Sequence, residues 1–296
     1  MIAGVLVVDK PRGITSFDVV QAVGRILKER KCGHAGTLDP MATGVLPVCV
    51  GAATKIAGYL TEEEKEYEAG FAFGVATDTG DATGKPVEEC PGAMATESAV
   101  AEALAALVGT FDQVPPAYSA VKVGGVRSYK LARKGMEVPL AARRVTVREA
   151  RLLSIGPDRF RVYLAVSKGF YVRSLPRDLG AVLGVPLTVS ELRRTRVGAF
   201  RADQAVTLDA LRERARDFSA GSLLIPIVDA LGRFPIWEVP AAAIPQVRNG
   251  RLSGPWLVEH ATAEPGNFAL LVTSQREPLA IVGRDPAGLW KIVRGI

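Results

Sequence analysis

Asp39 sits in Gly33-His34-Ala35-Gly36-Thr37-Leu38-Asp39-Pro40-Met41-Ala42-Thr43-Gly44, a loop dense in glycine and turn-forming residues. The glycines at 33, 36 and 44 admit backbone conformations closed to other residues, and Pro40 holds the residue before it extended. Such a loop presents a carboxylate to a ligand. An isolated Asp-Pro is usually a surface turn, so the meaning of Asp39 depends on its company. Ser167-Lys168-Gly169-Phe170-Tyr171-Val172-Arg173 offers a cation, and the two-residue spacing of Tyr171 and Arg173 puts them on one side of an extended segment. A guanidinium paired with a buried carboxylate keeps it ionised and fixes its orientation, and Asp39 is the candidate for that carboxylate. Tyr67 and Tyr171 could stack on an unpaired base, the mode by which single-stranded RNA is read. His34 is expected to position a ligand, because a histidine in a glycine loop is more often hydrogen-bonded than catalytic.

These groups need a scaffold. Val5 to Asp9 reads as a buried strand, followed by a helix from about Phe17 to Lys28 capped at Thr15 or Ser16, with Phe17, Val20, Val23, Gly24 and Leu27 at helical spacing. Val45 to Val50 and Glu66 to Gly74 are strands, the second carrying Tyr67, Ala69, Phe71 and Phe73 on its core face. A helix entered near Thr96 covers Ser98 to Val108, and Val145 to Ile155 pairs with Phe160 to Val166 through Gly156-Pro157-Asp158. Leu175 to Leu183 is a helix stopped by Gly184 and Pro186. The pattern is α+β, a mixed and largely antiparallel sheet with flanking helices. From Arg233 the texture changes to short strands and turns around Trp237, Trp256 and Trp290, which predicts a small β-rich domain over 233–296 after a main domain over 1–232.

The chain has 296 residues, 48% of them hydrophobic, enough for a large core. Its net charge of +6 suits a polyanionic partner. Nine of the 37 basic residues fall between Lys122 and Arg151 against Glu137 and Glu149 alone, so a basic excursion over about 122–151 is expected to meet phosphates. The acids at Glu62, Glu63, Glu64, Glu66 and Glu68 read as a solvated face. Three cysteines without disulfide spacing fit a reducing, cytoplasmic setting. No zinc-ligand spacing, dinucleotide fingerprint or phosphate-binding loop occurs, which excludes the common metal and nucleotide-cofactor classes. The apolar opening run is too short to span a membrane. A glycoside hydrolase would need a second carboxylate in a comparable loop, and Asp78 and Asp81 sit in a turn better suited to structure.

Asp9-Lys10-Pro11-Arg12-Gly13-Ile14-Thr15-Ser16, the Asp39 loop, Tyr67 with Thr77-Asp78-Thr79-Gly80-Asp81, Gln113 to Lys122, and Ser167 to Arg173 with Leu192-Arg193-Arg194 together resemble, in order and spacing, the TruB family of tRNA pseudouridine-55 synthases. The resemblance covers residues 2 to about 200. Ala35 and Phe170 stand where that family usually has threonine. It implies a pseudouridine-synthase catalytic domain with a PUA-like C-terminal domain, acting on the T-arm of tRNA without cofactor or metal, as a monomer needing no protein partner. It further implies Asp39 as the catalytic group, Tyr67 stacking on a flipped uridine, Tyr171 closing the pocket with Leu192 beside it, and Arg173 holding Asp39. A non-catalytic RNA-binding or tRNA-folding protein on the same scaffold is the rival reading.

Overall fold

The computed structural model describes residues 2–296 apart from 120, 124, 129–130, 132–135, 137–138, 218 and 264–265. Of the basic residues between 122 and 151, Lys130, Arg133 and Lys134 lie outside the described residues.

Strand β1 (Gly4–Lys10) runs into α1 (Ser16–Ile26) through a short turn. Thr15 caps the helix: its hydroxyl accepts from the Asp18 N–H at 3.1 Å, and the Asp18 carboxylate accepts from the Thr15 N–H at 2.9 Å. This reciprocal box satisfies two end donors. The buried stripe is Val19, Val20, Val23 and Leu27. Phe17, expected to face the core, is 62% exposed, because a first-turn position next to the cap looks past the sheet.

After β2 (Cys32–His34) the Asp39 loop leads into β3 (Thr43–Val50), α2 (Ala57–Thr61) and β4 (Lys65–Phe73). A small hairpin of β5 (Val75–Thr77) and β6 (Pro86–Glu89) precedes α3 (Glu97–Leu107) and β7 (Gly109–Gln113). The short pair β8 (Lys122–Val123) and β9 (Val126–Arg127) is followed by the long hairpin of β10 (Arg143–Ile155) and β11 (Arg159–Val166). The helix Leu175–Leu183 ends at Gly184 in the left-handed conformation, and β12 (Leu187–Val197) and β13 (Phe200–Arg201) follow.

Among the described residues nine of these strands form one sheet, ordered β1-β3-β12-β4-β11-β10-β7, with β2 on β3 and β13 on β12, while β5-β6 and β8-β9 are separate pairs. Every pairing is antiparallel except β3 with β12, where Arg193 and Arg194 lie beside Thr43 and Gly44. The expected α+β architecture is therefore present. The strand β12, between β3 and β4, was not foreseen, since Glu191-Leu192-Arg193-Arg194-Thr195-Arg196 is too polar to read as buried. The basic excursion also needs correction: from Arg143 onward its cations belong to β10, whose alternating Val145 and Val147 are buried in the sheet.

The acidic run is not a bare solvated face. Glu62 pairs with Lys168, Glu63 with Arg233, Glu64 with Arg148, Glu66 with Arg196 and Glu68 with Arg161. For Glu66 and Glu68 the sheet supplies the reason, because β4 lies between β11 and β12, and both carry arginines within reach of its acids.

Two cores share the main sheet. Leu6 and Val8 on one face of β1 join the cluster of Val20, Val48, Phe71, Phe160 and Leu164, while Val5 and Val7 on the other face join Cys49, Ile56 and Leu60. This second cluster continues into the C-terminal unit through Leu270, Val272 and Ile281. That unit has a four-stranded sheet ordered β14 (Ile236–Glu238), β15 (Phe268–Val272), β16 (Pro278–Arg284) and β17 (Trp290–Gly295). Its other face, with Ala269, Leu271, Ala280 and Val282, packs with Trp237 and Val247 into a core of its own. Helices Ile244–Arg248 and Pro255–Ala263 belong to it too, so it is less purely β than its sequence suggests.

Candidate active site

The Asp39 loop is built from backbone bonds to buried polar side chains. Ser16 does not cap α1; its hydroxyl donates to the Leu38 carbonyl at 3.0 Å and accepts from the Leu38 N–H at 2.8 Å. The Pro40 carbonyl accepts from the Gly13 N–H at 2.7 Å and from Lys10 Nζ at 3.3 Å. From below, the Arg194 guanidinium, 1% exposed, donates to the carbonyls of Val45, Thr37 and Gly36 at 2.8, 3.3 and 3.0 Å. A buried guanidinium is tolerable when carbonyl oxygens replace its water. Gly36 and Gly44 have φ of +101° and +100°, and a Cβ on Gly44 would meet the Arg194 carbonyl oxygen at 2.2 Å. Gly33 is different: it lies in β2 opposite Cys49, without a positive φ and with open space where a Cβ would go. The loop requires two of the three glycines singled out.

Asp39 and Arg173 meet as a two-pronged pair. Arg173 Nε donates to Oδ2 at 2.7 Å and Nη2 to Oδ1 at 2.9 Å. The arginine side chain is 6% exposed and the carboxylate 33%, so the base of the pair is sealed and its outer edge faces the cleft. Arg173 also donates to the carbonyls of Thr79 at 3.2 Å and Tyr118 at 2.8 Å. Behind it lies a second carboxylate, Asp81, with Oδ2 3.6 Å from Arg173 Nε. Asp81 Oδ1 accepts from Thr79 Oγ1 at 3.0 Å and from the Thr83 N–H at 2.9 Å. The turn that suggested structure thus supplies a buried counter-charge.

Tyr171 and Arg173 face the same cleft, but not by strand alternation. Val172–Ser174 is a 3₁₀ turn, and only Tyr171, at φ −116° and ψ 110°, is extended. The side chain of Gln113, 2% exposed, acts as a substitute strand for Tyr171, accepting from its N–H at 2.8 Å and donating to its carbonyl at 3.2 Å. Sequence reading noted Gln113 only as part of a motif; its amide in a run before two prolines was the available signal. Burial pushes the Tyr171 phenol above its ordinary range, and the nearby Asp39 charge adds to the rise while Arg143 opposes it.

One cleft of about 1040 Å³ is lined by His34, Asp39, Tyr67, Tyr171, Arg173 and Leu192 together. Tyr67, 8% exposed, stands on β4 opposite Arg194, and Leu192 on β12 opposite Ala69, so neighbouring strands carry both onto one wall. Both side chains also belong to the hydrophobic core, which fixes their orientation. Phe170 lines the cleft at 9% exposure; Ala35 is fully buried in the second core and lines no part of it. Arg143, Arg144 and Lys168 reach the mouth. Two buried lysines were missed: Lys10, held by the carbonyls of Pro11, Ile14 and Pro40, and Lys65. Burial lowers both ammonium groups to about 8. Among the described residues no cluster of three or more His, Cys, Asp or Glu could hold a metal ion, and no helix is long and apolar enough to cross a membrane.

Residues 24–172 match the TruB family pseudouridylate synthase N-terminal domain, and residues 173–231 match the tRNA pseudouridylate synthase B C-terminal domain. The chain belongs to the TruB family. It is 45% identical over 252 residues to the tRNA pseudouridine synthase B of Aromatoleum aromaticum, covering 85% of this chain and 81% of the relative. It is 44% identical over 295 residues, 97% of both chains, to that of Mycobacterium sp. strain KMS. Among solved structures, a Cbf5-Nop10-Gar1 complex holds a chain with a TM-score of 0.74 at 25% identity, covering 99% of this chain and 83% of that one. The TruB family resemblance read from five motifs is thus correct, and with it pseudouridine synthase activity.

Proposed function

We propose that this TruB enzyme converts uridine to pseudouridine at position 55 in the T-loop of tRNA, with Asp39 as the catalytic group. The observation that carries this reading is the Asp39 carboxylate held two-pronged by Arg173 in a cleft whose walls are Tyr67, Tyr171 and Leu192. A uridine in a folded loop is out of reach until it is extruded, which costs a few kcal/mol that stacking and backbone contacts must replace. Tyr67 stacks on the flipped base, Leu192 packs beside it, Tyr171 closes the pocket and His34 positions the RNA. The C1′–N1 bond then breaks, the uracil turns, a C1′–C5 bond forms, C5 gives up its proton and N1 gains one. Atoms and electrons balance within the nucleotide, so the reaction calls for no oxidant, reductant or group donor. It does call for one ionised carboxylate at the sugar, whether as nucleophile at C1′ or as base toward a glycal.

The cations at the mouth, Arg143, Arg144 and Lys168, meet phosphates and position the T-arm without reading its sequence. We assign 1–232 to catalysis and 233–296 to a PUA-like RNA-binding unit, in a cytoplasmic monomer that needs no protein partner. The test is Asp39→Asn with a T-arm RNA carrying tritium at uridine C5. Asp81 stays beside Arg173 in this variant, so the guanidinium keeps a counter-charge and the fold is retained. Expected is loss of tritium release with RNA affinity within about threefold. Turnover at the unaltered rate by Asp39→Asn would sink the assignment. Absence of release by the unaltered protein would favour a pure RNA binder.

A further inference from the structure

Lys65 is a buried cation of the cleft that holds no part of the Asp39 loop. Arg173 makes four bonds to Asp39, Thr79 and Tyr118, Arg194 makes three to the carbonyls of Val45, Thr37 and Gly36, and Lys10, outside the cleft lining, places all three donors on carbonyls. Lys65 rises from β4 two residues before Tyr67 and on the same face, is 7% exposed, and lines the cleft. Its ammonium donates to the carbonyls of Thr61 at 2.6 Å and Glu63 at 2.5 Å. An ammonium has three N–H donors and no acceptor. Among the described residues no protein group takes the third.

That spare donor is well placed for an extruded base. A Cβ built on Gly36 would lie 4.0 Å from Lys65 Cε and 3.6 Å from Arg194 Nη1, so Lys65 lies against the turn of the Asp39 loop. Phosphates outside the cleft would meet the exposed cations of the mouth first, whereas an ammonium recessed in the wall beside Tyr67 is reached by a nucleobase. Resting on the function proposed above, we propose that Lys65 is a substrate-binding residue whose third N–H donates to a carbonyl oxygen of the uracil stacked on Tyr67.

The protonation state separates this role from a structural one. A neutral amine still has two N–H donors, enough to hold Thr61 and Glu63, but nothing left for a ligand. The charged groups facing Lys65 are Arg194 on β12, Glu62 and Glu63 on the turn after α2, and Lys168 beyond β11. Burial is the strongest influence on its ammonium, which loses its proton at about 8. A contact through the third N–H therefore fades as pH rises through that value, while the clamp on the turn persists.

The experiment measures single-turnover pseudouridine formation and affinity for a T-arm RNA from about pH 6.5 to about pH 9.5, for the unaltered protein, Lys65→Met and Lys65→Arg. At the acid end Lys65→Met should be slower by about tenfold or more, the worth of one charge-assisted hydrogen bond. The ratio of unaltered protein to Lys65→Met should then shrink toward the alkaline end, and the ratio to Lys65→Arg, which stays charged throughout, should shrink likewise. Lys10 also titrates near this range, but it is common to all three proteins and cancels in the ratios. Ratios independent of pH would overturn the proposal. If Lys65→Met fails to fold, the comparison with Lys65→Arg decides alone. If the unaltered protein forms no pseudouridine, the functional reading fails, and the same ratios taken on RNA affinity still judge the Lys65 contact.

Discussion

The carboxylate at 39 is held by geometry as much as by charge. Arg173 offers Nε and Nη2 to the two oxygens of Asp39 while donating to two carbonyls, a fork that a point charge cannot reproduce. Arg173→Lys should keep the positive charge between Asp39 and Asp81 yet release the orientation of the Asp39 oxygens. We expect turnover to fall about a hundredfold with RNA affinity almost unchanged, the pattern of an interaction that matters in the transition state. Single-turnover rates beside an RNA-binding titration would check it, and full activity in Arg173→Lys would show that charge alone suffices. Asp81 gives the arrangement its robustness. Two carboxylates near one guanidinium leave neither an orphaned cation nor an orphaned anion when one of them is neutralised.

Loop and strands hold one another in register. The parallel contact of β3 with β12 puts Gly44 beside Arg194, whose backbone occupies the space of a Cβ and whose side chain reaches under the loop to Gly36 and Thr37. Gly44→Ala must force a positive φ on alanine and push β12 away, so a loss of about 3 kcal/mol or more is expected. Gly33→Ala, six residues before Asp39 but in an ordinary strand conformation with open space, should change stability by less than about 1 kcal/mol. Denaturant titration of the two variants tests whether the loop is set by its own glycines or by β12. Equal effects would contradict the assignment of strain to Gly44 and not to Gly33. The hydrogen-bond roles of Ser16 and Gln113 make the same point: each is a buried side chain standing in for a missing backbone partner.

At the scale of the molecule, the C-terminal unit shares the second core through one face of its sheet. Leu270, Val272 and Ile281 belong to the buried cluster that also holds Val5, Val7 and Cys49, and Arg233 pairs with Glu63 on the turn held by Lys65. A chain ending at residue 232 would uncover part of that cluster. We expect its Tm to drop by about 10 °C or more and the protein to self-associate, measured by thermal melting and gel filtration. A truncated chain with an unchanged Tm and a monomeric elution volume would mean that the two units fold independently. The Glu63 pair also ties the cleft wall to the C-terminal unit, so the truncation should loosen the turn over Thr61 to Glu63 before the strands themselves.

Local rules written in consecutive residues determined much of this protein. The Thr15 cap, the hairpin through Gly156-Pro157-Asp158, the helix Leu175–Leu183 with its glycine stop, and the presentation of Asp39 between Gly36 and Gly44 all follow from conformational preferences of neighbours. The order of the motifs carried the family. Sequence could nominate Arg173 for Asp39 across 134 positions, but not the fork, the second carboxylate at Asp81, or the 3₁₀ turn that aims Arg173 where a strand was expected. Only the tertiary structure decided that Arg194 and Lys65 are buried, that the acids from Glu62 to Glu68 are paired with cations from β10, β11, β12, Lys168 and Arg233, and that Phe17 faces out. The reason is that burial of a charge depends on acceptors brought in by sheet register from distant segments, and no local preference encodes which strand becomes the neighbour.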